Sequence, residues 1–183
     1  MNNLSDTSMD KKGNSPFKIF LIGFMGSGKS HWGRIWASKI GIPFYDLDER
    51  IEEGSGIKIT NIFETEGEEK FRELESYHLK KFDDNNNFLL ACGGGTPCFC
   101  DNIEWMKSQG KVFYLKSKPE LIVKRLFDET THRPVIKNLS PAELLPFVQN
   151  KLVERERYYL QAHHVLNVED LDESSLSFFI RKP

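Results

Sequence analysis

The residues of this chain best suited to chemistry begin with Gly23-Phe24-Met25-Gly26-Ser27-Gly28-Lys29-Ser30. Gly-x4-Gly-Lys-Ser is the Walker A spacing, and each residue type has a physical reason to be there. Glycines let backbone N–H groups of Gly26, Ser27 and Gly28 wrap around phosphate oxygens, and a following helix N-terminus adds positive potential. Lys29 reaches the β- and γ-phosphates of a nucleotide, and the Ser30 hydroxyl is a ligand for Mg²⁺. His31 is next in line for a nucleotide contact, against the plainer reading of an exposed first-turn residue. Gly-rich turns are common in α/β proteins, but a merely structural turn has no need of Lys and then Ser.

Asp46-Leu47-Asp48 sets two carboxylates two residues apart. In an extended backbone such positions point the same way, which would turn both toward one cleft. One carboxylate can then hold Mg²⁺ while the other accepts the proton of an attacking hydroxyl. Helix capping by either aspartate is the competing reading. Further along, Gly93-Gly94-Gly95 permits close backbone approach to a ligand. Arg72 and Arg155 carry the forked guanidinium geometry that suits a carboxylate. Both arginines have acidic neighbours, so a solvated ion-pair face is the alternative. The segment 128–138 is a polar loop with Arg133-Pro134, and a loop of that length is often functional.

The elements that must position these residues read as strands alternating with helices. Phe17–Ile22 is a short apolar run that stops at Gly23, the pattern of a buried parallel strand. Apolar positions at helical spacing predict a helix over 29–40, with Gly41 as its stop. Strands are expected at 43–46, 88–91, 111–115 and 163–167. Helices are expected over 47–53, about 66–82, from 101, over 117–127 and over about 140–162, with a last one at the C-terminal end. Ser117 with Glu120 and Ser140 with Glu143 have capping-box spacing. Together these predict an α/β three-layer sandwich around a five-stranded, mostly parallel sheet, with ligands at the strands' carboxyl ends.

Length and composition agree with one globular unit. The chain has 183 residues, 39% hydrophobic and 28% charged, enough for a single core. A net charge of −2 gives no electrostatic case for nucleic acid or an anionic membrane as partner. Three cysteines, Cys92, Cys98 and Cys100, are a poor disulfide framework and fit a reducing compartment. Residues 1–16 are polar, lack a signal-peptide core and read as a disordered leader before a single domain over 17–183. A cytoplasmic location is the expectation.

In order along the chain, the phosphate loop, Asp46-Leu47-Asp48 with Ile51, Ile62-Phe63, Gly67-Glu68, Phe71-Arg72-x-x-Glu75, Gly93-Gly94-Gly95, Arg133-Pro134 and Arg155 with Tyr159 resemble the shikimate kinase family. The matches run from about 18 to 166. The resemblance implies a P-loop fold like that of nucleoside monophosphate kinases, with a substrate-binding region at about 47–82 and a lid at about 128–138. It implies a monomer that transfers the γ-phosphoryl group of ATP, with Mg²⁺, to the 3-hydroxyl of shikimate, on the route to chorismate and the aromatic amino acids. Asp48 would bind the substrate hydroxyls and orient or deprotonate the nucleophile, Asp46 would assist Ser30 with Mg²⁺, and Lys29 and Arg133 would stabilise the transferring charge. Arg72, Gly94 and Arg155 would hold shikimate, and Arg125 is a weaker candidate for stacking on adenine. Arg157 stands where the family commonly has Pro in an Arg-x-Pro-x-Tyr pattern, and no adenine-contacting segment is recognisable near 167–173. A related kinase for gluconate or a nucleoside monophosphate would keep the P-loop without needing Asp48, Arg72, Gly94 and Arg155. A regulatory nucleotide-binding protein without catalysis would not need Lys29, Ser30, Asp46, Asp48 and Arg133 together.

Overall fold

Five strands form one sheet: the runs at 17–22, 87–91 and 111–116 are apolar and buried along most of their length, and the shorter runs at 44–46 and 164–167 are its partly exposed edges. In the computed structural model, which describes residues 17–84, 87–128, 136 and 139–176, they are β1 (Phe17–Ile22), β2 (Phe44–Asp46), β3 (Asn87–Ala91), β4 (Lys111–Lys116) and β5 (His164–Asn167). Their spatial order is β2-β3-β1-β4-β5, and every pairing is parallel. Seven helices accompany them among the described residues: α1 (Lys29–Ile40), α2 (Leu47–Ser55), α3 (Ile59–Thr65), α4 (Gly67–Lys80), α5 (Asn102–Gln109), α6 (Pro119–Asp128) and α7 (Pro141–Tyr159). The expected leader, most of the lid segment and most of the last helix lie outside the described residues.

Alternation along the strands divides the core into two layers. Phe20, Ile22, Phe88, Leu90, Val112 and Tyr114 face one way and pack with Leu47, Phe71, Leu79, Met106 and Tyr159 from the helices. Ile19, Leu21, Leu89, Phe113 and Leu115 face the other way and pack on Trp36 and Ala37 of α1. A third cluster joins Phe24 of the first turn to Ile122 and Leu126 of α6 and Leu144 and Val148 of α7. The three-layer reading therefore holds, and both central strands end where the chain must turn into the glycine-rich segments.

Local signals were correct where backbone groups decide them and incomplete elsewhere. At Ser140 the capping box forms, with Glu143 accepting from both the Ser140 amide and its hydroxyl. At Ser117 it does not: α6 begins at Pro119, and the buried Ser117 hydroxyl has no hydrogen-bond partner among the described residues. Asp101 precedes α5 in a left-handed conformation and makes no side-chain cap. The short helix α3 went unrecognised because seven residues carry too little periodicity to be read.

Beyond β5 the chain returns across α1. The Trp36 indole is fully buried and donates to the Asp172 carbonyl at 2.9 Å. Replacing Trp36 with Phe removes that bond and leaves a void beside the sheet. We expect a loss of about 1–3 kcal/mol, read as a lower urea midpoint at unchanged m value.

Candidate active site

The phosphate loop follows β1 directly, and its backbone is built for anion binding. Gly28 caps α1 in the left-handed region at φ 91°, a conformation that favours glycine. The Lys29 ammonium is buried and donates to the carbonyls of Gly23 and Phe24, at 2.9 Å each. Arg125 of α6 donates to the Gly26 carbonyl at 3.1 Å, so it braces the loop from the facing helix. His31 is exposed, edge-on to Trp32, and sits on the cleft wall.

Of the two readings of the aspartate pair, helix capping is observed, and the same carboxylate also reaches Ser30. Asp46 ends β2 and caps α2, its Oδ1 accepting from the Asp48 amide at 3.1 Å. Its Oδ2 accepts from the Ser30 hydroxyl at 2.5 Å. The expected extended geometry is not what aligns the two carboxylates, because Leu47 already begins the helix. Asp48 instead lies in the first turn of α2, and the turn carries it into the same cleft. That cleft, about 430 Å³, is lined by Gly26, Gly28, Lys29, Ser30, Asp46, Asp48, Gly93 and Gly94 among others. Under its floor lies the buried Cys92 thiol. Burial and the charges of Glu75, Asp46 and Asp48 push its pKa well above normal, with Lys29 pulling the other way.

The triple glycine is a packing necessity. A Cβ on Gly93 would come within 2.7 Å of Glu75 Oε1 and 3.1 Å of Asp48 Oδ1. One on Gly95 would meet the Arg72 guanidinium at 2.5 Å, and one on Gly94 the Met25 amide nitrogen at 3.0 Å. This turn threads between the phosphate loop and a buried ion pair.

Arg72 is no solvated surface residue. It is 9% exposed and donates Nη1 to Glu75 Oε2 at 2.7 Å, while Nη2 and Nε reach Glu68 Oε1 at 2.9 and 3.2 Å. The Phe99 ring covers its guanidinium at 4.5 Å. Glu75 has no exposure, and its Oε1 accepts from the Thr96 hydroxyl. Asn102, also buried, ties the Thr96 carbonyl to the Ser76 hydroxyl. Arg155 on α7 lies over the Phe24 ring at 5.7 Å. Neither Arg72 nor Arg155 lines the 430 Å³ cleft. The Cys98 thiol is pushed up to about 11 by burial, with the charges of Arg155 and Arg72 pulling it down. Arg157 is exposed and turns to the Tyr158 hydroxyl at 3.1 Å. Arg133 lies outside the described residues.

Sequence reasoning assigned no role to Thr96, Phe99 or Asn102, and quoted Glu75 and Tyr159 only as matched positions. Helix spacing pairs Glu75 with Arg72, but the Thr96–Glu75, Ser76–Asn102 and Tyr159–Gly94 contacts span 21, 26 and 65 positions, and no spacing rule could have paired those.

A parallel sheet in this order, a phosphate loop braced by a lysine, and a Ser–Asp pair at the strand ends define a P-loop phosphotransferase. Residues 25–181 match the family model described as shikimate kinase. The shikimate kinase of Azobacteroides pseudotrichonymphae is 43% identical over 90% of this chain and 91% of its own length. The crystal structure of shikimate kinase from Bacteroides thetaiotaomicron superposes with a TM-score of 0.83 at 36% identity, covering 89% of this chain and 96% of that one. That of the Acinetobacter baumannii enzyme in complex with shikimate gives 0.79 at 33% identity, covering 91% and 90%. This chain belongs to the shikimate kinase family, and it is an ATP-dependent kinase.

The thiols offer a direct check on this geometry. Cys100 is exposed, Cys98 half-buried and Cys92 buried. At pH 7.5 iodoacetamide should label Cys100 first, with Cys98 at least about tenfold slower. Because its pKa is raised to about 11, the Cys98 rate should climb with pH up to that value. Peptide mass spectrometry reads the order, and equal rates at Cys98 and Cys100 would contradict the placement.

Proposed function

We propose that this chain transfers the γ-phosphoryl group of ATP to the 3-hydroxyl of shikimate, giving 3-phosphoshikimate and ADP. The observation that carries the reading is the meeting of Lys29, Ser30, Asp46 and Asp48 with Gly93 and Gly94 in one cleft. The triphosphate lies along the backbone of Gly26, Ser27 and Gly28, with Lys29 moving from its carbonyl partners to the β- and γ-oxygens. A hydroxyl and a carboxylate paired at the cleft floor are hard oxygen donors and fit Mg²⁺, which usually takes few protein ligands and keeps substrate phosphates and water. Ser30 and Asp46 are the residues that would hold it, and it would supply positive charge against the phosphate oxygens.

Phosphoryl transfer asks the protein mainly for position and electrostatic stabilisation. Asp48 orients the acceptor hydroxyl and takes its proton. Arg72 and Arg155 clamp the acceptor's carboxylate, and Gly94 lets the ring approach backbone. Arg72 is suited to that task because Glu75, Glu68 and Phe99 already hold its guanidinium plane, so little further ordering is needed on binding. The region 47–82 cradles the acceptor, and Arg133 in the 128–138 segment adds charge over the transferring group; these two roles rest on the family resemblance.

Coupled ADP release with Mg-ATP and a panel of shikimate, gluconate and nucleoside monophosphates tests the reading. Turnover should depend on shikimate alone, and no rate above the ATPase background would remove it. Asp48→Asn should lower kcat by about 10²–10⁴-fold while ATP still binds. Arg155→Ala should raise the shikimate KM by about tenfold or more and leave that for ATP unchanged. It is a cleaner probe than Arg72→Ala, which would strand the Glu75 carboxylate without its cation.

A further inference from the structure

Tyr159 is the last residue of α7, and it has no exposure. Its ring packs on Tyr114 at 5.0 Å between centroids. A buried ring needs no hydroxyl to pack, so the phenol oxygen calls for its own explanation. That oxygen donates to the Gly94 carbonyl at 2.5 Å, across 65 positions of sequence. The bond fixes the orientation of the rigid 94–95 peptide plane, and so of the turn that separates Arg72 from the phosphate loop.

Arg155 lies one helical turn earlier, and residues four apart share a face of a helix. Its guanidinium is held over the Phe24 ring, on the phosphate-loop side of the same turn. Burial pushes the Tyr159 hydroxyl pKa upward, and the nearby Arg155 charge draws it back. A phenol offers one donor and an acceptor lone pair. With the donor committed to Gly94, the oxygen presents only acceptor character to the cation beside it.

We propose that Tyr159 is a positioning residue for the acceptor: its hydroxyl sets the Gly94 turn and the Arg155 guanidinium at a fixed separation, so that carboxylate and ring are gripped together. The proposal rests on the reading above in which Arg155 holds the carboxylate and Gly94 faces the ring. It gives the hydroxyl a task beyond core packing, because Phe would serve equally well for packing alone.

Tyr159→Phe keeps the ring and deletes the hydroxyl. Steady-state kinetics on the full chain should show the shikimate KM up about tenfold, with kcat within about threefold and the ATP KM unchanged. A shikimate KM within twofold of wild type would overturn the proposal. The second measurement compares shikimate with its methyl ester, which lacks the charge that Arg155 grips. The variant should lose preference for the acid, its ratio of kcat/KM values falling about fivefold or more from wild type. An equal loss on both acceptors marks a structural role only and overturns it as well; because the ratio is independent of the folded fraction, a less stable variant remains informative. Wild-type turnover is the separate arm: if shikimate is no substrate, the underlying reading fails and this proposal with it.

Discussion

Burial of the Glu75 carboxylate is the constraint on which the acceptor half of the molecule depends. With no exposure, an unpaired charge there would cost several kcal/mol, so the surroundings are arranged to satisfy it. One oxygen takes Arg72 and the other takes Thr96. Each partner then constrains its own neighbours. Arg72 leaves no room for a Cβ at Gly95, and the carboxylate leaves none at Gly93. Two of the three glycines, Gly93 and Gly95, are thus dictated by the ion pair they wrap, and the ion pair in turn holds the Arg72 guanidinium in place.

The nucleotide half is built on the opposite sign. Buried Lys29 donates to two loop carbonyls, which hold the ammonium at the wall of the cleft. Asp46 serves two masters, the N-terminus of α2 and the Ser30 hydroxyl. The cap therefore orients the Asp46 carboxylate toward the phosphate loop as a by-product of starting a helix. The two halves meet where Gly94 passes the Met25 amide and where Tyr159 holds the Gly94 carbonyl. The phosphate loop and the glycine-rich turn are in this way fixed to one another through backbone groups.

The fold was legible in the sequence to an unusual degree because its signals are local. Five apolar runs flanked by turn residues, and helical spacing between them, are properties of short windows. The phosphate loop is legible for the same reason, being eight consecutive residues whose roles are set by neighbours in the chain. Asp46 shows the limit of such reading. Capping and a cleft-facing role looked like competitors in sequence, yet one oxygen of the carboxylate caps α2 while the other takes the Ser30 hydroxyl. Asp48 was placed in the cleft for the wrong geometric reason, since a helical turn does what an extended strand was expected to do.

Sequence alone determined the phosphate loop, the alternation of strands and helices, and the presence of two arginines and three glycines in family order. Those features depend on residue type and on spacing within a few positions. Only the tertiary structure decided what the arginines are. Acidic neighbours along α4 suggested a solvated face for Arg72. Burial against Phe99 and the Gly95 turn instead makes it a desolvated, pre-oriented cation. Sequence lists neighbours along a chain, whereas desolvation depends on neighbours in space. The Glu75–Thr96 pair and the Tyr159–Gly94 contact are separated by 21 and 65 positions, and it is folding that brings them within a hydrogen bond.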